Sequence, residues 1–161
     1  MKREARRHVE QLEWAIRGAL EELEKNPRRA AYNKAFYAWR EAVATAASIL
    51  ASNPALSERL RRLSAYEENR IIVTTSNAPR VLRALKEHIE EQHPLYEVLE
   101  ELDTVRRDAY MLHTAFYEGV EHASFTGAEE AAETLRRVVS AAGDALRVVK
   151  SLLASRPREE G

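Results

Sequence analysis

From Ala5 onward apolar residues return every three or four positions, at Val9, Leu12, Ile16, Ala19 and Leu23, and this spacing recurs through nearly the whole chain. It matches the helical period of about 3.6, whereas a half-buried strand would alternate with a period of about two. Helices with one apolar stripe are stable only when the stripes are buried against one another. The expectation is therefore an all-α helical bundle.

Prolines and caps divide the bundle. The first helix, about six turns long, should stop at Asn26-Pro27, where Asn26 can cap and Pro27 can open the next helix. The second carries Tyr32, Ala35, Phe36, Trp39, Ala42, Val43, Ala46 and Leu50 on one face, and its alanines permit close helix approach. Asn53-Pro54 repeats the punctuation, and a third segment runs on to Ser76. Its β-branched stretch Ile71 to Thr75 would suit a short strand, but with no second strand to pair with, it reads as a helix end. A short helix then reaches about Gln92, and His93-Pro94 marks a boundary. From Pro94 a fifth helix carries Leu95, Val98, Leu99, Leu102, Val105, Ala109, Leu112, Phe116 and Val120. Thr126 with Glu129 forms a capping-box pattern that opens a last helix bearing Leu135, Val138, Val139, Ala142, Leu146, Val149 and Leu152. These segments make five or six helices in a single domain over residues 1–155, with 156–161 expected to fray. The two Asn-Pro pairs lie 27 residues apart, short of the roughly 34-residue tetratricopeptide period, so tandem repeats are not the reading.

A chain of 161 residues suits one compact unit. Lysine and arginine total 25 against 26 acidic residues, so polyanion binding would need a local patch rather than a global field. The absence of cysteine removes disulfides, zinc ribbons and thiol nucleophiles and fits an intracellular chain. No window approaches the roughly 20 apolar residues of a membrane span, so a cytoplasmic protein without membrane contact is expected. Charged residues make up 32% of the chain, glutamine occurs twice, and arginine outnumbers lysine, a thermophile-like composition.

Most routes to chemistry are closed. Glu90 and His93 have Glu-x-x-His spacing without the second copy that a di-metal bundle requires, and Glu118 with His122 lacks a third ligand, so no metal is expected. The glycines are scattered and form no phosphate loop, and no serine occupies a strand-to-helix elbow. No cofactor is implied. Arg28, Arg29, Arg59, Arg61, Arg62 and Arg70 are interspersed with Glu58, Glu67 and Glu68, as on an ordinary solvated face.

The exception is TVRRDAYMLHTAFYEGV, Thr104 to Val120. His113 falls on or beside the apolar stripe. Arg106, about two turns earlier, shares its face, whereas Arg107 is rotated away by about 120°. A guanidinium on an apolar stripe needs a carboxylate such as Asp103, a cleft, or a subunit interface.

RRDAYMLH resembles the R-x(4–6)-H motif of the HEPN superfamily of all-α domains, with Arg107 five intervening residues before His113 and Asp108 as the polar residue after the arginine; Arg106 also fits the spacing. AYMLHTAFYEG, Ala109 to Gly119, and NKAFYAWREAVATAASIL, Asn33 to Leu50, are similar to segments of the archaeal PaREP family of HEPN-like proteins. The resemblance implies a HEPN-like bundle and a homodimer whose motif helices face each other across a cleft. Catalytic members, toxins of toxin–antitoxin pairs among them, are metal-independent ribonucleases. On that model His113 is the general acid or base, Arg107 or Arg106 the phosphate stabiliser and Asp108 an orienting group, with Tyr110 and Tyr117 as binding residues. Ala115 stands where toxin members often carry a tyrosine. The alternative implied is a non-catalytic helical dimer that binds a nucleotide or a partner protein such as a minimal nucleotidyltransferase.

Overall fold

A computed structural model describes residues 2–25, 29–123 and 125–155. The expected all-α bundle is found. Among the described residues there are seven α-helices: α1 (Lys2–Leu23), α2 (Arg29–Leu50), α3 (Pro54–Arg62), α4 (Ala78–His88), α5 (Tyr96–Thr104), α6 (Arg106–Glu118) and α7 (Ala128–Ala154). A 3-10 turn, Val120–His122, follows α6. The expected Asn26-Pro27 cap and the 156–161 tail lie outside the described residues.

The central element is α2, which packs against α1, α4, α5, α6 and α7. Its alanines, with Ala35, Ala38, Ala42 and Ala46 all at 0% exposure, let neighbouring helices approach closely from several sides. Between Ala31 and Ser48 only Asn33, Lys34, Tyr37 and Arg40 reach solvent, spaced as one helical stripe. α1 and α6 both pack on α2, Trp14 meeting Tyr37 and His113 meeting Phe36, and the open stripe with these flanking rings forms a shallow surface groove.

Three sequence expectations are corrected. The third segment is not helical to Ser76: after α3 the chain forms a two-residue hairpin, β1 (Tyr66–Glu67) and β2 (Arg70–Ile71), antiparallel with Tyr66 opposite Ile71. Glu68 and Asn69 both take positive φ, 50° and 64°, as a tight two-residue hairpin turn requires. The strand that Ile71 needed was hidden because Glu68-Asn69 fills the two turn positions where Asn-Gly or Asp-Gly is the usual signal.

The fifth helix is broken at Val105. In a continuous helix the Leu102 carbonyl would accept from the Arg106 amide; here it accepts from Nε1 of the fully buried Trp39, at 2.9 Å. An indole from α2 thus satisfies the carbonyl freed at the α5–α6 junction.

At the start of α7, the carboxylate that accepts from the Thr126 amide, at 2.9 Å, belongs to Glu130 rather than Glu129.

A buried polar cluster pins the hairpin to the bundle. Glu4 and His8, one turn apart on α1, are 7% and 4% exposed. Glu4 accepts the Ile71 amide at 2.7 Å and a bidentate pair of bonds from Arg7, at 2.9 and 2.6 Å. His8 Nδ1 lies 2.9 Å from Glu41 of α2, and its Nε2 lies 3.1 Å from the Ile71 carbonyl. Burial alone would raise the Glu4 pKa, but the Arg7 and Ile71 bonds and the His8 and Arg7 charges outweigh it and bring it down to about 2.

Candidate functional site

The groove is built by periodicity on three helices. α2 supplies Lys34, Tyr37 and Arg40, three residues apart. α6 supplies Tyr110, His113 and Tyr117, spaced three and four apart. α1 supplies Trp14. The His113 ring packs 4.4 Å from Phe36 and 4.9 Å from Tyr117, and Tyr110 meets Phe36 and Trp39 edge-on at 5.0 and 5.5 Å. Tyr110 is fixed by donating its hydroxyl to the Thr75 carbonyl, 2.6 Å away. The Thr75 loop is held in turn by buried Asn77, which accepts the Thr74 amide at 2.7 Å and donates to the Ile72 carbonyl at 3.1 Å.

His113 has an unusual environment. Its Nδ1 is buried and has no hydrogen-bond partner. A charged imidazolium would carry an N–H there with nothing to accept it, at a desolvation penalty. Burial first, and the Arg40 guanidinium second, hold its pKa below the ordinary histidine value. The ring is therefore neutral near physiological pH, as a general base must be. Burial also raises the Tyr110 pKa, against the opposing fields of Arg106 and Arg40, so its hydroxyl stays protonated.

Neither upstream arginine contacts His113. Arg106 opens α6, is exposed, and pairs with Asp103 at 3.4 Å, the carboxylate anticipated for it. It lines a depression of about 380 Å³ with Pro79, Arg83, Lys86, Glu87 and Asp103, and Tyr110 lies between it and His113 along the helix. Arg107 is exposed and has no ion pair among the described residues. Asp108 sits 3.6 Å from Arg137 of α7, which points it away from the histidine. Tyr117 is 63% exposed, and its carbonyl accepts from Arg29 at 2.9 Å.

The cation whose charge reaches His113 is Arg40, on a different helix from the motif. Half-buried, it stacks 4.8 Å over Tyr37 and reaches Thr75 Oγ1 at 3.4 Å, with no carboxylate partner among the described residues. The available signal was its place three residues after Tyr37 in AFYAWREAV, an arginine inside an otherwise small and aromatic helix.

The other basic residues are dispersed. Arg59 pairs with Glu87, while Arg61 and Arg62 lie 4.0 and 3.8 Å from Glu58. Arg28 lies outside the described residues. Glu90 and His93 line a separate cavity of about 350 Å³ with Leu56, Ile89 and Leu152 at the far end of the bundle. Among the described residues no three acidic, histidine or cysteine side chains are grouped to hold a metal, and no helix is long and apolar enough to cross a membrane.

Outside the groove, Glu101 is an acid whose pKa is raised. Burial, followed by its bond to Asp144 of α7, pushes Glu101 of α5 up to about 7. The folded chain then keeps this proton to about pH 7, whereas the unfolded chain releases it near 4.5, so stability falls as pH rises through that window and levels off above it. Because Glu101 is partly solvated, the loss is about 1 kcal/mol. Glu101→Gln should abolish that decline and gain about the same amount above neutral pH; urea unfolding across the window, with an unchanged slope in the variant, would refute the assignment.

No protein-family model, curated protein or solved structure matches the chain.

Proposed function

We propose that this chain is a HEPN-like, metal-independent endoribonuclease that works as a homodimer, with His113 as the base that takes the ribose 2′-hydroxyl proton. The observation that carries the reading is the His113 imidazole, its pKa held down by burial, set against aromatic rings beside the Arg40 guanidinium, which has no carboxylate partner among the described residues. The 2′-oxygen attacks the adjacent phosphorus as His113 accepts its proton, Arg40 stabilises charge on the phosphoryl oxygens, and the 5′-oxygen leaves, taking a proton from water or from the imidazolium just formed. Arg107, exposed and unpaired, is the motif arginine available to a facing protomer. The scheme thus differs from the one implied by sequence resemblance, in which Arg107 or Arg106 rather than Arg40 is the phosphate stabiliser.

A second reading has its own support. Arg106 is already engaged by Asp103 and Asp108 by Arg137, so the motif is incomplete within one chain. This favours a non-catalytic dimer that binds a nucleotide or a nucleotidyltransferase partner. Incubation of mixed RNA with the purified protein in chelator separates the two readings. Cleavage that falls by at least about 100-fold in His113→Ala supports the ribonuclease; absent cleavage, or equal cleavage by wild type and variant, removes it.

A further inference from the structure

We propose that the groove over α2 is a binding track for single-stranded RNA, with bases stacking on Trp14 at one end and Tyr117 at the other and phosphates meeting Lys34 and Arg40 between them. This rests on the ribonuclease reading for the identity of the strand as RNA, but the track itself is argued from the groove.

Large aromatic rings are normally covered, yet Trp14 on α1 and Tyr117 on α6 are 56% and 63% exposed. Trp14 meets Tyr37 edge-on at 6.2 Å, Arg40 lies over Tyr37, and beyond Arg40 come His113 and Tyr117, 4.9 Å apart. Lys34 lies 5.4 Å over the Trp14 ring and 3.6 Å from Glu22. Gly18 permits this, because a Cβ there would come within 2.8 Å of the Lys34 stem. Between Ala31 and Ser48 the solvent-reaching positions of the central helix thus carry an asparagine, a lysine, a tyrosine and an arginine, with no acid among them.

Alternation of flat rings with cations is what an unpaired strand recognises. Every base offers a π face to stack, and each phosphate offers charge to a guanidinium or ammonium. A duplex hides its base faces and cannot use the two exposed rings. A chain with net charge −1 has no general attraction for polyanions, so binding must come from this local arrangement. The rings and cations span a few nucleotides, and His113 lies inside the track rather than at its edge.

The test uses tryptophan fluorescence. The chain has two tryptophans, and Trp39 is fully buried, so a ligand-dependent change reports Trp14. A single-stranded oligoribonucleotide of about eight residues should quench this emission saturably, and a blunt duplex of the same sequence should bind at least about 10-fold more weakly. Trp14→Ala, Tyr117→Ala and Arg40→Ala, followed by fluorescence anisotropy of a labelled strand, should each weaken binding about 10-fold. Quenching without cleavage would leave the track standing and remove the ribonuclease. Cleavage with unmoved emission and wild-type affinity in Trp14→Ala and Tyr117→Ala would do the reverse. Equal affinity for duplex and single strand would also overturn the track.

Discussion

Glu4→Ala should lower the unfolding free energy by about 3–5 kcal/mol, because it strips the partner from groups that stay buried. The Ile71 amide loses its acceptor, the Arg7 guanidinium loses both bidentate bonds, and His8 loses one of the two carboxylates beside it. Glu41 faces the opposite side of the imidazole and does not stand in for Glu4. Glu4→Gln keeps an acceptor for Ile71 and should lose less. Removing the exposed partner in the Glu13–Lys150 pair, at 3.0 Å, should change stability by at most about 1 kcal/mol. Guanidinium unfolding of the three variants gives the ranking. The same carboxylate sets an acid limb: with its pKa at about 2 against an unfolded value of 4.5, its contribution is complete above pH 4.5 and is lost as pH falls toward 2. In Glu4→Gln that part of the acid loss should vanish. A Glu4→Ala protein as stable as wild type would mean that the hairpin is held by apolar contact alone.

Trp39→Ala should be comparably damaging, at about 3–5 kcal/mol. The indole is 0% exposed in the central helix, packs near Phe36 at 6.2 Å and Tyr110 at 5.5 Å, and donates to Leu102. Alanine would leave a cavity and an unsatisfied carbonyl at the α5–α6 junction. Trp39→Phe refills most of the volume but not the bond, so it isolates the carbonyl term at about 1–3 kcal/mol. Because α6 carries His113, loss of the bond should also loosen the groove, visible as faster amide exchange at Val105 to Ala109. Identical stability and exchange in Trp39→Phe and wild type would show that the break at Val105 needs no indole.

The two substitutions mark the boundary of what could be read in the chain. Stripes such as Leu12, Ile16 and Ala19 announce helices because their period is local, and Asn53-Pro54 announces a helix start for the same reason: Asn53 caps α3 through the Ala55 and Leu56 amides. The break at Val105 has no local signature: the carbonyl it frees, on Leu102, is taken by Trp39, 63 residues from that leucine. The hairpin escaped because Glu68 occupies a left-handed position without glycine. Glu4, His8 and Glu41 flank apolar stripes as if solvated, and only the packing of α1 on α2 shows that they pair.

The candidate site was legible to the same degree. His113, Tyr110 and Tyr117 stand out because they share a helix face, and the structure gathers all three around one groove. Arg106, Arg107 and Asp108 were singled out by spacing to His113, and spacing cannot tell which neighbour claims each side chain. Asp103 engages the first, Arg137 approaches Asp108, and Arg107 projects outward. Arg40 became visible only when α2 was laid beside α6, because charge proximity across helices leaves no trace in either sequence.

The central claim is that an RNA strand reaches the His113 imidazole. It is tested most directly by nitrogen-15 and proton NMR of the histidine rings and the Arg40 side chain while a single-stranded oligoribonucleotide carrying a 2′-deoxy block at the scissile position is added. The account predicts saturable shifts at His113 and Arg40, with His88 and His122 unmoved. Unchanged His113 and Arg40 resonances at RNA concentrations that saturate binding elsewhere on the protein would contradict it.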